Sequence, residues 1–179
     1  MENLKSKNIF IVLALLFSLF SIAWFFSSGK QKTSVRNNED VLVQRAVDGD
    51  TLKLANGERV RLIGIDTPEM HESNKLYRDA QRSSQGVETI KRLGRRAYEF
   101  TRSLVEGKLV RLEFDVEKHD KYGRTLAYVY LKDDGTFVNA KIVEEGYASL
   151  MSIPPNVKHA DLFLKLYREA RENRRGLWK

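Results

Sequence analysis

Three short polar signatures hold the side chains of this sequence that could do chemistry. They are Asp48-Gly49-Asp50-Thr51, then Arg61-Leu62-Ile63-Gly64-Ile65-Asp66-Thr67-Pro68-Glu69, then Asp120-Lys121-Tyr122-Gly123-Arg124. Together they supply acids and guanidinium groups, which is what hydrolysis of a phosphodiester requires. A phosphodiester is an anion that repels an incoming hydroxide, so a protein that cleaves it must gather positive charge around the phosphate and place a base beside it. Carboxylates that hold a divalent cation provide part of that charge, and arginines provide the rest. Arginine suits the task better than lysine because its planar fork grips two phosphate oxygens and stays charged at any physiological pH.

Each signature also has an ordinary structural reading. Asp48-Gly49-Asp50 is good turn chemistry, Thr67-Pro68-Glu69 can start a helix with Thr67 as its cap, and Tyr122-Gly123 can be a turn before a strand. Three unrelated turns, however, have no reason to carry this set of acids and arginines in this order, so their co-occurrence favours one functional site.

The elements between the signatures are mostly strands. Val41 to Val47, Thr51 to Leu54 and Glu58 to Ile65 are short and β-branched, and Asn56-Gly57 signals a tight hairpin. Beyond Pro68 the pattern becomes charged and helical. Val87, Ile90, Leu93, Ala97, Phe100 (or Thr101) and Leu104 predict an amphipathic helix ending at Gly107. Strands follow at Leu109 to Val116 and Arg124 to Leu131, and a short helix at Val138 to Glu145 with Gly146 as its cap. After Pro154-Pro155-Asn156 comes a last helix with Ala160, Phe163, Leu166 (or Tyr167) and Ala170 as its buried stripe.

Consecutive hairpins do not make the parallel crossovers of a doubly wound sheet. The expected fold is therefore α+β: a five-stranded OB-fold β-barrel with about three helices. One puzzle remains in the second signature. Arg61 and Asp66 are an odd number of residues apart, so a regular strand would send them to opposite faces. A bulge or sharp bend near Gly64, or an early end to the strand, must intervene if both serve one site.

The chain begins differently. Behind Lys5 and Lys7, Ile9 to Phe26 is apolar apart from Ser18 and Ser21, approaching the roughly 20 residues of a membrane-spanning helix. Residues 1–28 are expected to be either a cleaved secretory signal or an uncleaved anchor. The length and the bulky Trp24-Phe25-Phe26 favour the anchor. Both readings place the protein outside the cytoplasm. Residues 29–40 read as a polar linker and 41–179 as one globular domain. The whole chain carries +7; five basic and three acidic side chains in the first forty residues account for two of those charges, leaving +5 on the domain. That balance suits a polyanionic partner. The absence of cysteine excludes disulfides, thiolate metal sites and lipid attachment at a cysteine.

The three signatures in this order, with Gly176-Leu177-Trp178 near the end, resemble the staphylococcal nuclease (thermonuclease) family over nearly all of the domain. The resemblance implies a calcium-dependent nuclease that cleaves DNA and RNA at the 5′ oxygen, leaving 3′-phosphates. It further implies that Asp50, Asp66 and the backbone carbonyl of Thr67 hold the calcium, and that Glu69 is the general base on the attacking water. Arg61 and Arg124 would bind the phosphate and stabilise its five-coordinate transition state. A hard cation with oxygen ligands agrees with this set, whereas zinc does not, since His71, His119 and His159 are scattered. Asp48 is expected behind the metal ligands. Lys121 and Tyr122 either touch a phosphate or are a surface lysine and a packed tyrosine.

Two stretches depart from the best-known family member: a longer, charged loop from Met70 to Leu93, and Tyr147 to Asn156, which lacks the tyrosines that pack a terminal base. The expected partners are a nucleic-acid substrate and, through an uncleaved anchor, a membrane, with the protein a monomer. The alternatives are a non-catalytic nucleic-acid-binding barrel tethered to the membrane and a basic module that docks anionic lipid or polymer. Relatives of the non-catalytic kind lose the acids and arginines that are all present here.

Overall fold

The computed structural model describes residues 39–179. The apolar segment Ile9 to Phe26 and most of the expected linker lie outside them. Among the described residues no helix is long and apolar enough to cross a membrane. Along the chain run β1 (Asp40–Ala46), β2 (Thr51–Leu54), β3 (Arg59–Leu62), β4 (Gly64–Asp66), α1 (Asn74–Ser83) and α2 (Val87–Val105). Then come β5 (Leu109–Glu113), β6 (Thr125–Leu131), α3 (Val138–Glu144), β7 (Ser149–Met151), α4 (Ala160–Glu172) and a 3-10 turn (Gly176–Trp178).

Five strands close a barrel in the order β1-β2-β3-β6-β5, with β5 returning to β1. The closure leaves no open edge among them, and the inward side chains, among them Val43, Leu52, Val60, Leu62, Val110 and Val129, are fully buried. The architecture is the α+β, OB-fold barrel expected from the strand pattern. Hairpins build most of it, but β3 and β6 are parallel, which is possible because α2 and β5 separate them in sequence. On β1, Val43 and Ala46 are both buried although three residues apart. A register shift between Val43 and Arg45 restores the phase.

Four helices rather than about three accompany the barrel among the described residues. The additional one, α1, falls inside the charged stretch read as a loop. Ser73 caps it, accepting from the Leu76 amide at 3.1 Å, and Leu76 is its only buried residue, too little for an apolar period to be visible. The stripe of α2 also differs. Its most buried positions are Ile90, Gly94, Ala97, Thr101 and Val105, while Leu93, Phe100 and Leu104 flank them half-buried. Small side chains at the centre let this helix approach the backbone beneath it.

The third expected strand does not run through to Ile65. It ends at Leu62, and after Ile63 the chain turns into β4, which leaves the barrel to pair with β7. This three-residue partner, β7, carried no pattern long enough to be read. The backbone freed at the bend is satisfied by Asn139 of α3, fully buried, which donates to the Ile63 carbonyl at 2.9 Å and accepts from the Val129 amide at 3.0 Å.

Candidate active site

Asp50 ends the turn between β1 and β2 and is only 6% exposed. Its amide donates to Asp48 Oδ1 at 3.0 Å, an Asx turn that shapes the loop. Oδ2 accepts from the amide and hydroxyl of Thr67 at 2.9 and 3.1 Å. Oδ1 accepts from the Thr51 hydroxyl at 3.1 Å and faces Arg61 Nε at 3.3 Å. Burial alone would raise this carboxyl, but the Arg61 charge and the Thr67 amide more than offset it and hold Asp50 below the usual carboxylate range. Its neighbour Asp48 goes the other way. Burial, then the charge on Asp50, pushes Asp48 up to about 7.

The bend after β3 resolves the parity of Arg61 and Asp66. Gly64 adopts φ +84°, and a Cβ there would lie 2.4 Å from the Phe163 ring of α4, so both conformation and packing require glycine. The guanidinium of Arg61 clasps the bend: Nη1 donates to the carbonyls of Leu62 and Ile65, each at 2.8 Å, and Nη2 to Asp66 Oδ1 at 3.1 Å. Arg61 is thus bound to both aspartates and 11% exposed. Asp66 is raised, chiefly by burial and further by Asp50, against the opposing charges of Lys75 and Arg61.

Helix α2 holds the two acid-bearing loops in place. Thr101 donates its hydroxyl to the Gly49 carbonyl at 2.8 Å. One face further along, a Cβ on Gly94 would come within 2.7 Å of the Pro68 carbonyl oxygen and the Glu69 carbonyl carbon, so the helix rests directly on this backbone. Glu69 is half-buried. Its Oε1 accepts from the amides of Met70 and His71 at 3.2 and 3.3 Å, while Oε2 makes no hydrogen bond among the described residues. That oxygen is available to a water.

Arg124 approaches from a separate turn. Asp120 Oδ1 accepts from the amides of Tyr122 and Arg124, both at 2.9 Å, and Oδ2 from Arg124 Nε at 2.7 Å. Burial would raise Asp120, but the hydrogen bonds from Arg124 and Tyr122 outweigh it and lower the carboxyl. The terminal nitrogens of Arg124 make no hydrogen bond among the described residues. The side chain is 29% exposed, with its guanidinium carbon 5.6 Å from the centre of the Tyr122 ring.

Asp48, Asp50, Arg61, Asp66, Thr67, Glu69, Tyr122 and Arg124 line one cleft of about 280 Å³. Lys121 does not. It lines a neighbouring groove of about 420 Å³, and its ammonium sits 5.1 Å from the Tyr122 ring centre. Tyr122 is 73% exposed, a surface ring and not a packed one. Sequence reasoning passed over Lys75, Asp120, Thr101, Gly94 and Asn139. Only Asp120 stood inside a signature; the others act across turns of helix or long stretches of chain.

The oxygens at the centre suit a hard cation: two carboxylates and a carbonyl, with no histidine lining the cleft. Two of these oxygens already face an ammonium group. Lys75 Nζ donates to the Thr67 carbonyl at 2.9 Å and lies 3.2 Å from Asp66 Oδ2, so these two oxygens converge on positive charge.

Fold and cleft define an oligonucleotide-binding-type barrel with a carboxylate and guanidinium centre at one side. A family profile described as staphylococcal nuclease homologue matches residues 59–179. The chain is 39% identical over 153 residues to a thermonuclease of Staphylococcus intermedius, covering 84% of this chain and 82% of that protein. It is 30% identical over 184 residues to a thermonuclease of Staphylococcus hyicus, covering 99% of each. With endonuclease YncB of Bacillus subtilis it shares 34% identity over 144 residues, 78% of this chain and 61% of that one. The chain belongs to the staphylococcal nuclease family.

Proposed function

We propose that this domain hydrolyses phosphodiester bonds of DNA, RNA or both, with little sequence preference, in a calcium-dependent reaction that leaves 3′-phosphates. One observation carries the reading: an arginine bound to both aspartates shares a cleft with a second arginine whose terminal nitrogens make no hydrogen bond among the described residues. Asp50, Asp66 and the Thr67 carbonyl would hold the ion, which supplies further positive charge to the phosphate. Arg124 grips phosphate oxygens through its terminal nitrogens. Glu69 takes a proton from water through Oε2, the water oxygen attacks phosphorus, the bond to the 5′ oxygen breaks, and that oxygen is protonated from solvent. Arg61 favours the ionised form of Asp50 and holds both aspartates in register. Contacts of this kind address the backbone of the substrate and not its bases, which accounts for the broad specificity.

The test is digestion of single-stranded DNA, duplex DNA and RNA by the full chain, with calcium and with chelator. Cleavage should require calcium and leave ends that accept a 5′ label on the downstream fragment without phosphatase. Glu69→Gln should fold normally and lose at least about a hundredfold in rate, since one electrostatic or proton-transfer group is worth on the order of 3 kcal/mol. Binding without cleavage under every condition would instead support the non-catalytic barrel. We further propose that residues 1–28 carry the domain out of the cytoplasm and anchor it as a monomer at the membrane. Sequencing the mature amino terminus separates the anchor from a cleaved signal.

A further inference from the structure

Lys75 is an unexpected member of the cleft. It is the second residue of α1, in the first helical turn, where the helix field disfavours a cation. What draws it there is the acid centre: the Thr67 carbonyl at 2.9 Å and Asp66 Oδ2 at 3.2 Å. Leu76, fully buried next to it, fixes the helix, so the lysine stem is aimed and not free to wander. Charge balance sharpens the point. Asp50 and Asp66 bring two negative charges and Arg61 and Lys75 return two positive ones, so with Lys75 in place the two aspartates are already matched by protein cations.

We propose that Lys75 is a tethered ammonium occupying the cation position made by Asp66 and the Thr67 carbonyl, and that a divalent ion binds only by displacing it. The calcium affinity of this chain is then set by competition with its own lysine. The proposal rests on the divalent-cation reading of the cleft. The geometry also provides somewhere for the ammonium to go. Asp79, one helical turn on, presents Oδ2 at 3.7 Å from Nζ, and Lys75 is 28% exposed at the lip of the cleft. A swing of the four-carbon stem toward Asp79 vacates the two oxygens without exposing an unpartnered charge.

The test is calcium binding to the full chain by titration calorimetry at neutral pH, with no substrate present. Lys75→Met, which keeps the stem and removes the charge, should bind calcium at least about tenfold more tightly than the wild type, whereas Lys75→Arg should not. Asp79→Asn removes the outer partner and should weaken binding several-fold, and it carries the test alone if Lys75→Met does not fold. Wild-type binding that neither Lys75→Met nor Asp79→Asn alters would overturn the competition and leave the calcium reading intact. No calcium binding by any of these proteins would overturn both. Cleavage that persists in chelator and disappears in Lys75→Met would also overturn displacement, making Lys75 a permanent substitute for the ion.

Discussion

The bend between β3 and β4 and the turn from Asp120 to Arg124 bring an arginine each to the same cleft, and they leave very different amounts of it available. Arg61 spends its donors on Asp50, Asp66 and the carbonyls of Leu62 and Ile65. Arg124 spends only Nε, on Asp120, and its terminal nitrogens make no hydrogen bond among the described residues. The difference follows from position. Arg61 emerges from the barrel wall beside a buried carboxylate, where an unsatisfied charge would be costly. Arg124 sits in an exposed turn, where water serves its tip in the absence of substrate. Two arginines of one cleft thus divide into one enclosed by protein acceptors and one whose terminal nitrogens are unpaired among the described residues.

Substituting each in turn breaks the comparison most directly. Arg61→Ala leaves the buried Asp50 charge without its partner, and should cost about 3–5 kcal/mol of stability together with activity. Chemical denaturation at neutral pH measures the first part. Arg124→Ala should lose on the order of 3 kcal/mol from the transition state while the unfolding curve shifts by less than about 0.5 kcal/mol. If both variants lost stability equally, the division of labour would be wrong.

A pH series probes the buried acid beside Asp50. In the folded protein Asp48 keeps its proton to about pH 7, well above the ordinary 3.8 of the unfolded chain. The folded state therefore binds the extra proton between those values, and this contribution to stability is complete below the lower one and lost as pH rises toward 7. In chelator, Asp48→Asn should remove about 2 kcal/mol from the stability difference between pH 5 and pH 8. An unchanged difference would show that the turn carries no such load.

The smallest effect is expected at the other turn. Asp120→Asn preserves the shape of the turn but weakens the hold on Arg124 Nε, for about 1 kcal/mol or roughly fivefold in kcat/KM. Because its carboxyl is lowered, the wild-type contribution of Asp120 is present above the unfolded value and fades only as pH falls below about 4. Activity of the wild type between pH 6 and 9 should be insensitive to it.

Much of the architecture was legible along the chain because the signals are local. The β-branched runs of the barrel, the hairpin at Asn56-Gly57 and the helix ending at Gly107 each depend on residues within one or two turns of one another. The bend required by the odd spacing of Arg61 and Asp66 could also be argued in advance, from strand parity and a glycine between them. What escaped was short or sparsely buried. The helix α1 has one buried residue in ten and β7 is three residues long, so neither imprints a period. The stripe of α2 was offset because its centre is made of small residues chosen for closeness to Gly49, Pro68 and Glu69, a requirement set by a loop far away in sequence.

The residue types, their order and the kind of chemistry open to them can be read from the one-dimensional chain, since acids, guanidinium groups and turn formers carry those properties wherever they stand. Which donor is spent and which is spare cannot be. That Arg61 is saturated, that Arg124 is not, and that the ammonium of Lys75 stands between Asp66 and Thr67 all depend on barrel closure and on helices packing across its side. Those contacts join segments whose mutual distance no local propensity sets.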